Sequence, residues 1–389
     1  MRFAVDAHAI GQHLTGNETY VRNLLNSFAG LDREAEFVAY LCRETAVSEV
    51  PSKFQTRRVS VNPFLRLGFD LPRRLRQDHP SLLHVQYTAP LFCPVPVVVS
   101  VHDVSFLVHP EYFTSFRALQ LRCTVERTVR SAAAVLTPSE FSRRQVINAY
   151  QLAEERVVVM PNGVSSAFHA AGRVTSQRNV QSSFGFGFPF VLTVGDLQPR
   201  KNHLGLIRAF EELLHAFPQL PHHLVIVGKE TWYAPHIRAA ARKSTIADRI
   251  HFTGFVEDSQ LHRLYGACDL FVYPSFYEGF GLPILEAMAC GRAVACSNTS
   301  AMPEVADSAA ILFDPSSQRE LVFAMRDLLL NPELRARMER LGLQRASMFS
   351  WEKSAAKTLE LYYTIAGKAR AGSRPEPAPV IKSHSAVRR

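Results

Sequence analysis

Short runs of Val, Ile, Leu and Phe alternate with longer segments whose apolar residues recur every three to four positions, over most of the chain. The short runs predict buried strands at 2–6, 36–41, 57–61, 82–87, 96–101, 133–137 and 156–160. After an interruption they resume at 190–195, 223–228, 250–254, 269–273, 292–297 and 309–313. The longer segments predict helices over 19–28, 111–130 and 139–150, with Ser139 as a hydroxyl N-cap, and further helices starting at Leu204, Asp258, Pro283 and Ser317. Strands alternating with helices in this way build parallel sheets with helical crossovers. The expected fold class is α/β, with two successive doubly wound, Rossmann-like domains.

The interruption, 170–188, is rich in Ser, Gly, Gln and Asn and has no apolar period, so it reads as a flexible linker. The expected division is a first domain at 1–169, the linker, a second domain at 189–350, an amphipathic helix at 351–367, and a disordered basic tail at 368–389.

Composition narrows the class. The chain has 389 residues, 47% hydrophobic and 20% charged, which gives two globular cores and excludes a wholly disordered protein. No apolar run reaches the roughly 18 residues that span a bilayer. An aspartate at position 6 interrupts what would be a signal-peptide core, so the first residues read as a buried strand. The six cysteines are scattered without metal-type spacing, as expected of reduced core thiols in a cytoplasmic protein.

The net charge of +9 calls for an anionic partner. Neither zinc-finger spacing nor a dense basic run favours nucleic acid. The arginines concentrate at 66, 73, 74 and 76 and at 117, 122, 127 and 130, which suits an anionic small molecule or peripheral contact with an anionic lipid surface.

Four segments at the carboxyl ends of predicted strands carry candidate chemistry, and open α/β sheets bind ligands at such ends. In the segment 277–291, Gly279 and Gly281 precede the helix-starting Pro283 and leave helix amides exposed to an anion. Glu278 stands ahead of that helix, and Glu286 falls in its predicted first turn. A carboxylate repels a neighbouring phosphate unless it accepts from sugar hydroxyls, so a sugar–diphosphate ligand reconciles the two. An ordinary capped helix with a dipole-favoured acid is the competing reading.

Arg200 and Lys201, after Gly195, stand just ahead of another predicted helix, where cations are disfavoured. A diphosphate would resolve that conflict, and a solvated pair is the alternative. His102 follows the run 96–101 and is either a satisfied core histidine or a site residue. Gly16 lies in the loop after the first strand, where it either admits backbone close to a substrate or simply makes a turn.

The glutamate pair eight residues apart resembles the signature of retaining GT-B glycosyltransferases, in particular family 4. Gln198-Pro199-Arg200-Lys201-Asn202 resembles the Glu-Pro-Arg-Lys-Asn segment of its mannosyltransferase-like members. The likeness runs from about residue 2 to 365 and is densest over 190–315. It departs at Gly16, where two glycines are common, and at Asp196, where some relatives carry arginine.

The resemblance implies a retaining hexosyltransferase. It would move mannose, from GDP-mannose or a similar nucleotide-diphosphate sugar, to a hydroxyl of a glycan or lipid-linked acceptor, with its two domains closing across a cleft and the last helix packing back on the first. By the same resemblance His102, Glu278 and Lys201 are catalytic. Gly16, Gly195, Arg200, Lys201, Gly279, Phe280, Gly281, Leu282 and Glu286 bind the donor, with Glu286 on the ribose hydroxyls. No Asp-x-Asp segment occurs, so no metal cofactor is expected.

A nucleotide-sugar epimerase on the same architecture and a non-catalytic anion- or membrane-binding protein remain as alternatives. A dinucleotide oxidoreductase is disfavoured, because no Gly-x-Gly-x-x-Gly follows the first strand.

Overall fold

The computed structural model describes residues 1–12, 15–32 and 34–370. Two compact units divide the described residues: one holds those of 1–108, 113–161 and 351–370, the other 109–112 and 162–350.

The first unit is built on seven strands, β1 (Arg2–Asp6), β2 (Glu36–Leu41), β3 (Phe54–Arg58), β4 (Leu82–Gln86), β5 (Val97–Ser100), β6 (Ala134–Thr137) and β7 (Val157–Val159). They lie in the order β3-β2-β1-β4-β5-β6-β7, and every neighbouring pair is parallel. The third strand begins three residues before its predicted start, because Phe54 stacks on Phe37 at 4.9 Å and fixes the register. Alternate residues face opposite ways, as in any strand. Ala4, Val38, Leu83, Val85, Val99 and Val135 enter a core with Val125, Val129 and Val146. On the other face Phe3, Phe28 and Phe37 pack with Tyr362.

Tyr362 comes from the last helix, Trp351–Arg370, which belongs to this unit. Its hydroxyl bonds His84, and the neighbouring Tyr363 donates to Asp32 Oδ2 at 2.5 Å. The helix takes in residues 368–370 of the predicted tail; the remainder lies outside the described residues.

The second unit carries β8 (Phe190–Val194), β9 (His223–Val227), β10 (Ile250–Gly254), β11 (Leu270–Tyr273), β12 (Val294–Ser297) and β13 (Ile311–Phe313). Their order is β10-β9-β8-β11-β12-β13, again all parallel. Both faces are buried, as parallel sheets require. Leu192, Val225 and Phe271 pack on Leu264, Leu285 and Met288, and Val191, Leu224 and Val272 on Leu206, Phe210 and Met325.

Three further expectations change. The stretch 170–188 is not a structureless linker but contains the helix Arg173–Phe184, which ends at Gly185 in a left-handed conformation and belongs to the second unit. It docks on the helix Asp258–Ala267 through small residues: a Cβ on Gly266 would fall 2.5 Å from Ser176 Oγ. Only Ser176 and Val180 of this helix are fully buried, and a single buried apolar residue leaves no apolar period to read.

The predicted helix 111–130 breaks into a turn at Pro110–Tyr112 and a helix at Ser115–Ser131, because Thr114 caps the latter by accepting from Arg117 N at 3.4 Å. The first helix starts early, at Thr15, and takes Gly16 into its first turn rather than leaving it in a loop.

Candidate active site

In an open doubly wound sheet the ligand crevice lies outside the strand carboxyl ends where the strand order reverses. In the second unit that point falls between β8 and β11, and the chain leaving each supplies half of a charged cluster. After β8, Gly195 donates its N–H to Val227 O at 2.8 Å, and the turn Pro199–Lys201 follows. Asn202, at φ 53°, ends the turn and caps the helix His203–Ala216 by accepting from Gly205 N at 3.2 Å. A Cβ on Gly195 would stand 3.0 Å from Lys201 Cδ and Cε, so the absent side chain makes room for the lysine stem.

After β11, the segment 274–281 leads to the helix Leu282–Ala289, with Gly281 at φ 110° as its N-cap. Phe276 N donates to Arg200 O at 2.8 Å and ties the two segments together.

Lys201 is buried, and its Nζ donates to Glu278 Oε1 at 2.7 Å and to Tyr273 OH at 2.6 Å. Arg200 Nη1 reaches the same Glu278 oxygen at 2.8 Å and donates to Tyr277 O at 3.1 Å.

Burial works against the charge of Glu278, but the Arg200 and Lys201 cations outweigh it and hold the carboxyl down at about 2. Burial also lowers the Lys201 ammonium, with Glu278 opposing. The paired cations ahead of a helix are therefore neither solvated nor unexplained, since one carboxylate carries both. Ser300 Oγ fixes Glu278 from behind by accepting its N–H at 2.9 Å.

Glu286 lies beyond the first turn of its helix, not in it as expected, and is buried. Tyr265 OH donates to its Oε2 at 2.9 Å. Burial pushes its carboxyl up to about 7, Tyr265 opposing and Asp258 adding to the rise. The two glutamates thus sit in opposite electrostatic states, which suits separate tasks: Glu278 as a fixed anion, Glu286 as a hydroxyl acceptor that charges near neutrality. Phe280 packs edge-on against Phe349 at 5.8 Å and steadies the loop carrying Gly279, Gly281 and Leu282.

In the first unit the strand order reverses between β1 and β4. His102, just past β5, donates from Nε2 to Gln86 Oε1 at 2.9 Å, and Gln86 Nε2 donates to Asn17 O at 3.1 Å. The structure thereby brings His102 together with the Gly16 segment. Tyr20 and Tyr87 pack edge-on to the His102 ring at 4.6 and 5.6 Å. Burial lowers its pKa to about 4, Asp103 opposing, so the ring is neutral near pH 7. Asp103 instead accepts from Ser105 N at 2.8 Å and Ser105 Oγ at 2.6 Å, which shapes the loop.

Nothing in the sequence pattern singles out Tyr273, Tyr265 or Gln86. All three read as strand or helix core, and only their hydroxyl or amide partners reveal a role. No cluster of three or more His, Cys, Asp and Glu that would hold a metal occurs among the described residues.

Two doubly wound parallel sheets, with converging cations and glutamates at the switch point of the second, define the GT-B class of glycosyltransferases. The pattern described as Glycosyltransferase Family 4 matches residues 14–168, and that described as Glycosyl transferases group 1 matches residues 178–345. The O-antigen chain mannosyltransferase B of Escherichia coli is 32% identical over 68% of this chain and 69% of its own length. The longer serotype-specific mannosyltransferase WbdA of Escherichia coli is 29% identical over 69% of this chain, which spans about a third of it (33%). Sucrose-phosphate synthase from Thermosynechococcus elongatus shares the fold at TM-score 0.77 and 18% identity, over 96% of this chain and 100% of that one. The chain belongs to glycosyltransferase family 4, among its mannosyltransferase-like members.

Proposed function

We propose that the chain moves mannose, or a closely similar hexose, from a nucleotide-diphosphate sugar to a hydroxyl of a glycan or lipid-linked acceptor. The configuration at the anomeric carbon is retained and no metal is required. One observation carries this reading: Arg200 and Lys201 converge on Glu278 Oε1 at 2.8 and 2.7 Å, at a strand-order reversal and ahead of the helix Leu282–Ala289.

When the glycosidic bond breaks, negative charge gathers on the departing diphosphate. An ammonium, a guanidinium and the outward amides of that helix are pre-positioned to receive it, which is electrostatic catalysis of the kind a metal supplies elsewhere. Glu278 meets the sugar. A carboxylate held by two cations is a weak nucleophile, which favours attack by the acceptor on the face the diphosphate leaves over a double displacement.

Glu286 accepts from the ribose hydroxyls. His102, neutral and oriented by Gln86, contacts the sugar on the acceptor side. The mannosyltransferase relative supports mannose as the transferred sugar; GDP is proposed as the carrier.

The test supplies GDP-mannose and other nucleotide sugars with glycan and lipid-linked acceptors, with and without a chelator, and follows the anomeric configuration of the product. Sugar on an acceptor hydroxyl is expected. An epimerised donor with no transfer would overturn the reading, and strict dependence on a divalent cation would overturn its metal-free form. Glu286→Ala and Lys201→Ala each abolish transfer while the protein stays folded by circular dichroism.

A further inference from the structure

Three segments of the first unit raise an apolar, cationic surface that the transferase chemistry does not use. The helical stretch 63–78 exposes Leu65, Phe69, Arg73 and Arg76 at i, i+4, i+8 and i+11, one stripe along one side, with Phe64 at 71% exposure beside them. Leu71 and Leu75 turn inward from the stripe, and the buried Arg66, whose guanidinium lies 3.8 Å from Asp6, anchors the stretch beside it.

Leu91 N donates to Leu67 O at 3.2 Å and brings the exposed Leu91 and Phe92, the latter at 73%, next to that stretch. Arg127 in turn bonds Ala89 O and Pro90 O, which places the helix Ser115–Ser131 alongside. That helix presents Phe116 (71% exposed), Leu119, Arg117 and Arg122 to solvent.

We propose that this face docks on an anionic lipid surface, with the phenylalanine and leucine tips in the headgroup boundary and the arginines on lipid phosphates. Large apolar side chains grouped at this exposure mark an interaction site. Stripes of Phe and Leu continued by arginines are the pattern of a surface lying in a bilayer interface.

Charge selects the occupant. Over 61–78 the two acids are both engaged: Asp70 accepts from Ser60 N at 2.8 Å, and Asp78 is buried with Tyr40 and Arg57. Residues 86–95 and 113–125 contain no acid. A second copy meeting this face through a two-fold axis would set arginines against arginines, whereas anionic lipid complements them. The inference extends the transferase reading by placing a lipid-linked acceptor at the docked face, but its readout needs neither donor nor turnover, so the two fail separately.

The test is flotation of the full chain with vesicles of phosphatidylcholine alone and of phosphatidylcholine with phosphatidylglycerol. The chain is expected to float with the anionic vesicles and to be released by raised salt. The variant carrying Phe64→Ser, Phe69→Ser and Phe116→Ser should lose about tenfold in partitioning, while Trp232→Ser, an exposed aromatic of the second unit, should lose none. Arg73→Glu with Arg122→Glu should abolish the preference for anionic vesicles, and it carries the test should the triple variant fold poorly. Equal partitioning of wild type and variants, no flotation at all, or lipid-free dimers that the same serines dissolve would each overturn the proposal.

Discussion

At the scale of single residues, the site is a contest between burial and charge, and the outcome differs at each carboxyl group. Glu278 has two cations and stays ionised; Glu286 has one hydroxyl donor and is held up at about 7. The pH windows follow. A carboxyl whose folded value is raised holds a proton that the unfolded chain releases, so the Glu286 contribution to stability is full below about 4.5, falls as pH rises to about 7, and is level above. Glu278 behaves oppositely: its contribution is present above about 4.5 and is lost as pH falls toward 2. Wild type should therefore lose stability relative to Glu286→Gln as pH rises from about 4.5 to about 7, by roughly 3 kcal/mol at most. Denaturant melts of both proteins across that range would show it, and parallel curves would refute it. Because the ionised form is the better acceptor for ribose hydroxyls, donor KM should also fall as pH rises through about 7. Tyr273 tests a different point. Its hydroxyl accepts from Lys201, so it positions the cation without needing to touch phosphate. Tyr273→Phe should lower kcat about tenfold, close to the value of one hydrogen bond to a charged group, with donor KM little changed. A rise in KM at constant kcat would show instead that the hydroxyl binds substrate.

At the scale of elements, the approach of three strand ends sets the site. Gly195, Gly228 and Gly254 close β8, β9 and β10, with Gly195 N donating to Val227 O and Gly228 N to Gly254 O at 3.0 Å. A Cβ on Gly228 would lie 2.0 Å from the Gly195 carbonyl oxygen, which is backbone and has no rotamer to escape into. Gly228→Ala should push the Gly195 segment, and with it Lys201, off its position. The expected cost is about 1–3 kcal/mol and a melting point several degrees lower, with kcat/KM falling further than the stability loss explains. Unchanged kinetics in the purified variant would show that the segment absorbs the shift harmlessly. The same elements show what a sequence can and cannot disclose. Strands of β-branched residues and the alternation that orders them are local properties, so both sheets are readable within a few residues at each end. Gly195, Arg200, Lys201 and the 277–291 segment are readable too, because cations before a helix and glycines before a proline are local anomalies. The helix Arg173–Phe184 is not, since only Ser176 and Val180 of it are fully buried, the serine against a glycine 90 positions on. Nor are Tyr273 and Tyr265, whose apolar bodies fit a core pattern and whose hydroxyl partners lie 72 and 21 residues away.

At the scale of the whole molecule, the site residues are unevenly shared. Lys201, Arg200, Glu278 and Glu286 belong to the second unit and His102 to the first. A nucleotide without its sugar should therefore find nearly all its proposed contacts in the second unit. A ligand that binds only the native state stabilises it by RT ln(1 + [L]/Kd), about 2.7 kcal/mol at a hundredfold excess over Kd. GDP should raise the melting point accordingly, with hydrogen-exchange protection confined to 195–203 and 275–286. In Lys201→Ala both effects should shrink strongly, because Arg200 alone then faces the diphosphate and the loss of one charge partner in a buried site costs more than a surface pair would. A chelator should leave the shift unchanged, since the positive charge resides in side chains. Protection appearing elsewhere in the chain, or a GDP shift that survives in Lys201→Ala, would move the nucleotide away from the β8–β11 reversal and take the proposed mechanism with it.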